Sequence, residues 1–323
     1  MLSRTADAVY WLSRYVERAE NVARFVDVNF TLALDMPDTS AAQWMPMVAT
    51  SGNERLFTER YGDPNEQNVV QFLTFDRDNP NSVLSCLWLA RENARTVRDT
   101  ISTELWEQVN SFYLLVKSAA GQGTLESPHD FFSQIKRASH LCIGIADATM
   151  AHNEAWHFAR LGRLLERADK TARILDVKYF MLLPHVDYVG SPYDAILWSA
   201  LLKSASAFEM YRKRYRSINA ERVVEFLILD REFARSMRFC LINAERSLRS
   251  ITGTTTSTYT NSAELKLGRL RSELDYGEIH EIVSTGVHDY LDQFQVKLNQ
   301  VGTSIMDTFF VSKLQTLGPA TLP

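Results

Sequence analysis

The sequence predicts an all-α protein, a helical bundle built from two homologous halves related by an internal duplication. Three observations carry this. Glycine and proline are scarce, 13 and 9 in 323 residues, which favours long uninterrupted helices. Apolar residues recur at helical spacing between sparse polar breaks. A charged stretch near the N-terminus returns, still recognisable, in the middle of the chain.

In order, the periodicity predicts helices over 3–33, 44–60, 67–75, 82–118, 129–182 (with an internal break), 194–216, 221–229, 234–251, 262–275 and 278–312. Polar segments with turn residues connect them, among them DMPDTSAAQ, GDPNEQN, AGQGTLESPHD and the stretch from Pro184 to Asp194. The uncharged, hydroxyl-rich loop at 252–262 reads as a solvated linker, with anion binding as a minor alternative. Ser82 and Ser236 follow turn residues and open apolar runs, as N-caps do. Cys86 and Cys240 lie on apolar helix faces and read as core. Strand-like alternation of useful length is not found.

Residues 14–30, RYVERAENVARFVDVNF, align with 163–179, RLLERADKTARILDVKY, and 8 of the 17 pairs are identical. Ordinary residue usage would give about one match. Arg14/Arg163, Glu17/Glu166, Arg18/Arg167 and Arg24/Arg173 are kept while apolar positions drift. A second echo pairs 72–90 with 226–244, including Asp76/Asp230, Ser82/Ser236 and Cys86/Cys240. Trp44/Trp198, Arg60/Arg214 and Tyr61/Tyr215 share its offset. The offset grows from 149 to 154, which fits a longer linker around Pro184–Pro192. The predicted domains are a first half, 1–155, and a second half, 156–323. A unit this long is a duplicated subdomain, since solenoid repeats run to about 20–50 residues.

A net charge of −4 gives no basic footprint for nucleic acid. No apolar run approaches the roughly 18 residues a membrane span needs, and the N-terminus has no apolar signal core. The expected setting is cytoplasmic, without nucleic acid or membrane partners. The three cysteines are too scattered for a disulfide framework. A Gly-rich phosphate loop, a His-Glu-x-x-His helix and a Cys-x-x-Cys pair are all missing. Glu154 and His157 form one helical Glu-x-x-His, but a di-iron bundle needs two such units and two further Glu. No cofactor and no metal are predicted.

On helical wheels, Leu12, Tyr15, Val16, Ala19, Val22, Ala23 and Val26 form one stripe, with Arg14, Glu17, Asn21 and Arg24 opposite. In the second copy Arg163, Glu166, Lys170 and Arg173 oppose the stripe. Surface ion pairs explain little of this, because such pairs are worth about 0.2–0.5 kcal/mol each and are interchangeable. Two readings stay open. The helices could face each other in a charge network between the halves, where losing one partner costs about 3–5 kcal/mol. Alternatively the forked guanidiniums could bind a planar anion. The candidate ligand-binding residues are Arg14, Arg18, Asn21, Arg163, Arg167 and Lys170, joined by Arg91, Arg95 and Arg98, which share one face of the helix from Ser82. Glu17 and Glu166 are the candidate catalytic groups, as acid/base or as orienters of the arginines.

The segments YWLSRYVERAENVAR, FDRDNPNSVLSCLWLARENARTVRD and RLGRLLERADKTARILD together resemble the alpha-E domain family, alpha-helical bacterial proteins named for a Glu-Arg motif. The resemblance runs over essentially the whole chain. The motif falls on Glu17–Arg18 and again on Glu166–Arg167. The family's Asp-Pro-x-Asn-Pro-type turn appears as Asp76–Pro80, with Arg77 in place of proline. Members are typically encoded beside circularly permuted ATP-grasp and transglutaminase-like proteins. The resemblance therefore implies an ATP-grasp-type ligase as partner and a part in forming amide bonds in small peptides. The predicted function is a helical subunit of such a system that binds an anionic peptide, acyl intermediate or other small anion through the duplicated Arg/Glu cluster. A stand-alone enzyme using Glu17 or Glu166, and a non-catalytic docking scaffold, are the alternatives; whether the chain is itself an enzyme stays open.

Overall fold

Low glycine and proline content has its expected result in the computed structural model, which describes residues 1–35, 40–122, 125–182, 192–255 and 258–311. Fifteen α-helices and no strand are found among them. In chain order come α1 (Ser3–Asp35), α2 (Ser40–Ser51), α3 (Glu54–Tyr61), α4 (Glu66–Thr74), α5 (Val83–Thr96), α6 (Thr103–Ala120) and α7 (Pro128–Thr149). There follow α8 (Glu154–Leu182), α9 (Pro192–Ser204), α10 (Phe208–Arg214), α11 (Ala220–Leu229), α12 (Met237–Thr252), α13 (Ser262–Tyr276), α14 (Ile279–Thr285) and α15 (Val287–Ile305), which ends in one π-turn over Met306–Phe310. The Pro184–Pro192 linker falls almost wholly outside the described residues.

Four of the predicted helices are split further than expected. The stretch 44–60 turns at Gly52–Asn53, where Asn53 Nδ2 donates to Asn79 Oδ1 at 2.9 Å. The stretch 82–118 breaks between Thr96 and Thr103 without help from glycine or proline. Val97, Thr100 and Ile101 are β-branched and lower helix propensity, and Ser102 starts α6 by accepting from the Leu105 amide at 3.2 Å. The stretch 194–216 breaks at Ser206, whose φ is +54°. The stretch 278–312 breaks at Gly286, whose φ of +97° lies in a region that L side chains rarely adopt. The break anticipated within 129–182 comes at Met150–Asn153.

Two large apolar cores form, one on each side of α1 and α8, and a small third cluster gathers Leu32, Leu197 and Ala200. Ala19, Ala23, Phe57, Phe72, Leu87, Val109 and Phe132 belong to the first. Leu161, Ala168, Ala172, Leu201, Leu227, Leu241 and Leu267 belong to the second, which also takes Ala6 and Tyr10 from α1. Each large side chain buried in this way contributes about 1.5–3 kcal/mol. Residues paired in the sequence echoes make matching contacts. Ser82 and Ser236 each cap a helix, accepting from Ser85 and Phe239 amides at 3.1 Å. The Cys86 and Cys240 thiols donate at 3.7 Å to the carbonyls of Pro80 and Ala234. Arg60 pairs with Asp76, and Arg214 with Asp230.

α1 and α8 thus turn their apolar stripes outward to separate cores and their charged faces toward each other. They approach closely at Gly162, where a Cβ would lie 2.4 Å from the Tyr10 carbonyl oxygen.

Candidate functional site

Adjacent residues on a helix point about 100° apart. A Glu-Arg dipeptide therefore offers one acceptor and one donor to a neighbouring helix. Two such helices facing each other can satisfy both exchanges at once, and α1 and α8 do so. Arg18 Nε donates to Glu166 Oε1 at 2.6 Å and its Nη2 to Oε2 at 3.0 Å. In return Arg167 Nε donates to Glu17 Oε1 at 2.8 Å and its Nη2 to Oε2 at 2.9 Å. Both exchanges have the two-point fork geometry that makes Arg–carboxylate bonds strong.

Further arginines reinforce each carboxylate. Arg14 Nε reaches Glu166 Oε2 at 2.8 Å, while its Nη1 donates to Tyr10 Oη at 3.1 Å and its guanidinium lies over the Trp11 ring. Arg235 reaches Glu17 Oε1 at 3.1 Å and Glu20 Oε2 at 2.9 Å. Glu20 also pairs with Arg24. Asn21 donates to Glu17 and accepts from Arg235 Nη1 at 3.3 Å. Lys170 lies 3.1 Å from Asp169 and 3.6 Å from Glu166. Glu17, Glu20 and Glu166 are almost completely buried.

Two loops set the outer members of this array. In the first, Asp76 Oδ1 accepts from the Asp78 amide and Asn79 Oδ1 from the Asn81 amide, a local turn that presents Asn81 Oδ1 to Arg18 Nη1 at 2.8 Å. In the second, Asp230 Oδ1 accepts from the amides of Glu232 and Phe233, and Thr171 Oγ1 holds the Arg235 carbonyl at 2.9 Å.

Burial alone would raise the carboxyl pKa values, but the guanidiniums outweigh it. Arg167 and Arg235 hold Glu17 at about 2, and Arg18 and Arg14 hold Glu166 well below the usual carboxylate range. Both groups are ionised at neutral pH, with their oxygens occupied by donors. That arrangement orients arginines well and suits proton transfer poorly, because acid/base work near neutrality needs a pKa close to the operating pH.

Arg163 differs from its neighbours. Its Nε is buried and has no hydrogen-bond partner. Burial and the adjacent Arg167 pull its pKa down to about 10. It lines a narrow cleft between α1, α6, α7 and α8 together with Arg160 and Trp156. On another flank of the network, Arg14, Trp11, Asp169, Asn299 and Thr303 line a hollow of about 250 Å³.

The Arg91–Arg98 row does not join the network. Arg91 is bonded to Asn110 and Glu92, and Arg95 to Glu92. Arg98 lies over Trp106 beyond the end of α5, so the single helical face expected for the three arginines is interrupted. Conversely, Arg235, Glu20, Asp169 and Asn81 are central to the network and were not singled out from sequence. Arg235 and Asn81 share the 154-residue offset and immediately precede the two cap serines, which is the signal that could have exposed them. Among the described residues no group of three or more His, Cys, Asp or Glu side chains comes together as a metal site would require. No helix among them is long and apolar enough to cross a membrane.

A family model described as a predicted alpha-helical domain with a conserved ER motif matches residues 1–310. This chain belongs to the Alpha-E family. Glu17–Arg18 and Glu166–Arg167 are Glu-Arg dipeptides, and in this structure they make the reciprocal exchange that joins α1 to α8. Similar curated proteins include uncharacterised proteins of Mycobacterium bovis and of Mycobacterium tuberculosis strain CDC 1551, each 21% identical over 98% of this chain. A further uncharacterised protein, from Mycobacterium tuberculosis strain H37Rv, is 20% identical over the same share. The chain spans 37% of the length of these relatives. No solved structure matches it.

Proposed function

We propose that this Alpha-E chain is a cytoplasmic helical subunit of an ATP-grasp-associated system that forms amide bonds, and that it holds an anionic peptide or acyl intermediate at the α1/α8 seam. One observation carries the anion reading. Seven Lys and Arg side chains converge on four carboxylates, Glu17, Glu20, Glu166 and Asp169. This cationic surplus sits in the middle of a chain whose net charge is −4. These cations are partly withdrawn from water, and a surplus of such positive charge is costly unless an anion meets it. Within this reading Arg14, Arg18, Arg167, Lys170 and Asn21 form the frame, with Glu17 and Glu166 orienting the arginines. The ATP-grasp partner rests on the family resemblance, and its nucleotide site would be its own.

We further propose that residues 1–155 and 156–323 arose by duplication. The matched caps, thiol contacts and Arg–Asp pairs of the two halves support it.

The test is reconstitution with the neighbouring ATP-grasp protein. ATP-dependent amide formation should require this chain. Arg18→Ala and Arg167→Ala should each abolish it while unfolding remains cooperative. Turnover at full rate without this chain overturns the proposal.

A further inference from the structure

One flank of the charge network opens into the hollow of about 250 Å³ between α1, α8 and α15. That is the liquid-phase share of about eight water molecules. It is also smaller than the roughly 300–1,000 Å³ of pockets for drug-sized ligands, so its occupant is a small molecule. A glycine keeps this space open. Leu298, Gly302 and Met306 all line the hollow, and their spacing of four puts them on one side of α15 and its terminal π-turn. Gly302 is the middle one. A Cβ built there would meet no heavy atom within 4 Å, so close packing does not call for glycine. Its φ is not positive, so the backbone does not call for it either. Glycine is a poor helix former, and its effect here is a gap where a side chain would project into the hollow. The π-turn that follows, Met306–Phe310, is a rare form that recurs at functional sites. It packs Phe310 against Tyr10, with 5.3 Å between ring centroids.

Opposite charges line the hollow from α1 and α8. Arg14 bonds Glu166 through Nε and Nη2 and Tyr10 Oη through Nη1. A guanidinium carries five N–H donors, so one N–H on each terminal nitrogen is left over from these bonds. Asp169 is 7% exposed. It accepts from Arg173 Nε at 3.0 Å and lies 3.1 Å from Lys170, while an ionised carboxylate offers about four acceptor sites. Burial opposes its ionised form, yet Lys170 and Arg173 keep its pKa below the ordinary carboxylate value. Both groups are therefore charged at neutral pH and both can take a further bond.

The pair of signs defines what fits. A simple anion would suit Arg14 but face the Asp169 carboxylate, and a simple amine would suit Asp169 but face the Arg14 guanidinium. A molecule that carries an ammonium and a carboxylate has a partner for each. Leu165, Leu298 and Met306 add apolar wall for an aliphatic side chain, and the exposed Asn299 and Thr303 add an amide and a hydroxyl at the rim. We propose that this hollow binds a free aliphatic amino acid, its carboxylate on Arg14, its ammonium on Asp169 and its side chain against the apolar wall. The site goes beyond the anionic-peptide reading above and holds whether or not the chain serves a ligase.

The probe is L-leucine, titrated calorimetrically into the full chain. Isocaproate, which is leucine without its ammonium, and isoamylamine, which is leucine without its carboxylate, are the comparisons. Saturable binding of L-leucine is expected, with each analogue weaker by about ten-fold or more. Gly302→Leu should fill the hollow and weaken L-leucine by about ten-fold or more. Gly302→Ala should melt no lower than the wild type, since a methyl there meets no neighbour and alanine favours helix; a glycine needed only for packing would lower the melting temperature when replaced. The analogue series uses the wild type alone, so it decides the matter even where Gly302→Leu fails to fold. The proposal is overturned if L-leucine fails to saturate the wild type, if either analogue binds as tightly, or if folded Gly302→Leu binds it unchanged. None of these readouts uses the ATP-grasp protein, so failed reconstitution and failed amino-acid binding are separate results.

Discussion

Replacing Glu17 by Gln tests the physical core of this structure, because it removes one charge and almost no volume. Glu17 is 1% exposed and accepts from Arg167 and Arg235. Burial opposes its ionised form and the two guanidiniums favour it, so that its pKa falls from 4.5 to about 2. Each pKa unit corresponds to about 1.4 kcal/mol, so the ionised carboxylate holds about 3 kcal/mol of stability. Losing one partner of a buried ion pair costs about 3–5 kcal/mol by independent experience, and the two figures agree. Urea unfolding followed by circular dichroism should show a midpoint lower by about 1 M or more, for a slope of roughly 3 kcal/mol/M. The direction with pH follows from the lowered pKa. This stability is complete above pH 4.5, the unfolded value, and is lost as pH falls through that value toward about 2. The wild type should lose it over that window, and Glu17→Gln, which has no proton to take up there, should lose less. A destabilisation below about 1 kcal/mol, or parallel acid curves for the two proteins, would refute the claim that this carboxylate is clamped by paired guanidiniums.

Other outcomes follow from the same geometry. Gly162→Ala forces a methyl against the Tyr10 carbonyl and should cost about 1–3 kcal/mol or more by overpacking, read as a lower urea midpoint. Ser236→Ala removes a cap on the Phe239 amide and a bond to the Asp230 carbonyl, so a loss of about 1–2 kcal/mol is expected in the same assay. Burial pushes the Cys86, Cys142 and Cys240 thiols up to about 12. A thiol reagent at pH 8 should therefore label none of them in the native chain and all three in denaturant, and rapid native labelling of any one would contradict its burial.

The fold class was readable because scarce glycine and proline leave few alternatives to helix. Several breaks were not. Gly286 interrupts a stretch whose apolar spacing continues on both sides, and Val97–Ser102 turns with no punctuating residue at all. Wheel projection placed Glu17 and Asn21 on a face opposite the apolar stripe and left open whether water or protein met it. In fact α1 is enclosed by protein on several sides, so both faces are buried. The sequence echo exposed Glu17, Arg18, Glu166 and Arg167, whose roles in the structure are reciprocal. It concealed Arg235 for the opposite reason. Searching for identity discards the pair Asn81/Arg235, of which one accepts from Arg18 and the other donates to Glu17 and Glu20.

The crossed bonding of the two helices also bears on whether the halves can live apart. Severed at residue 155, the leading fragment would keep Arg14 and Arg18 but surrender Glu166, and the trailing fragment would keep Arg167 and Arg235 but surrender Glu17. Each would be a lock cut from its key, stranded with guanidiniums and carboxylates whose partners left with the other piece. Produced separately the pieces should be poorly ordered, and mixed in equal amounts they should regain helical signal together, one partner supplying what the other was built to lack.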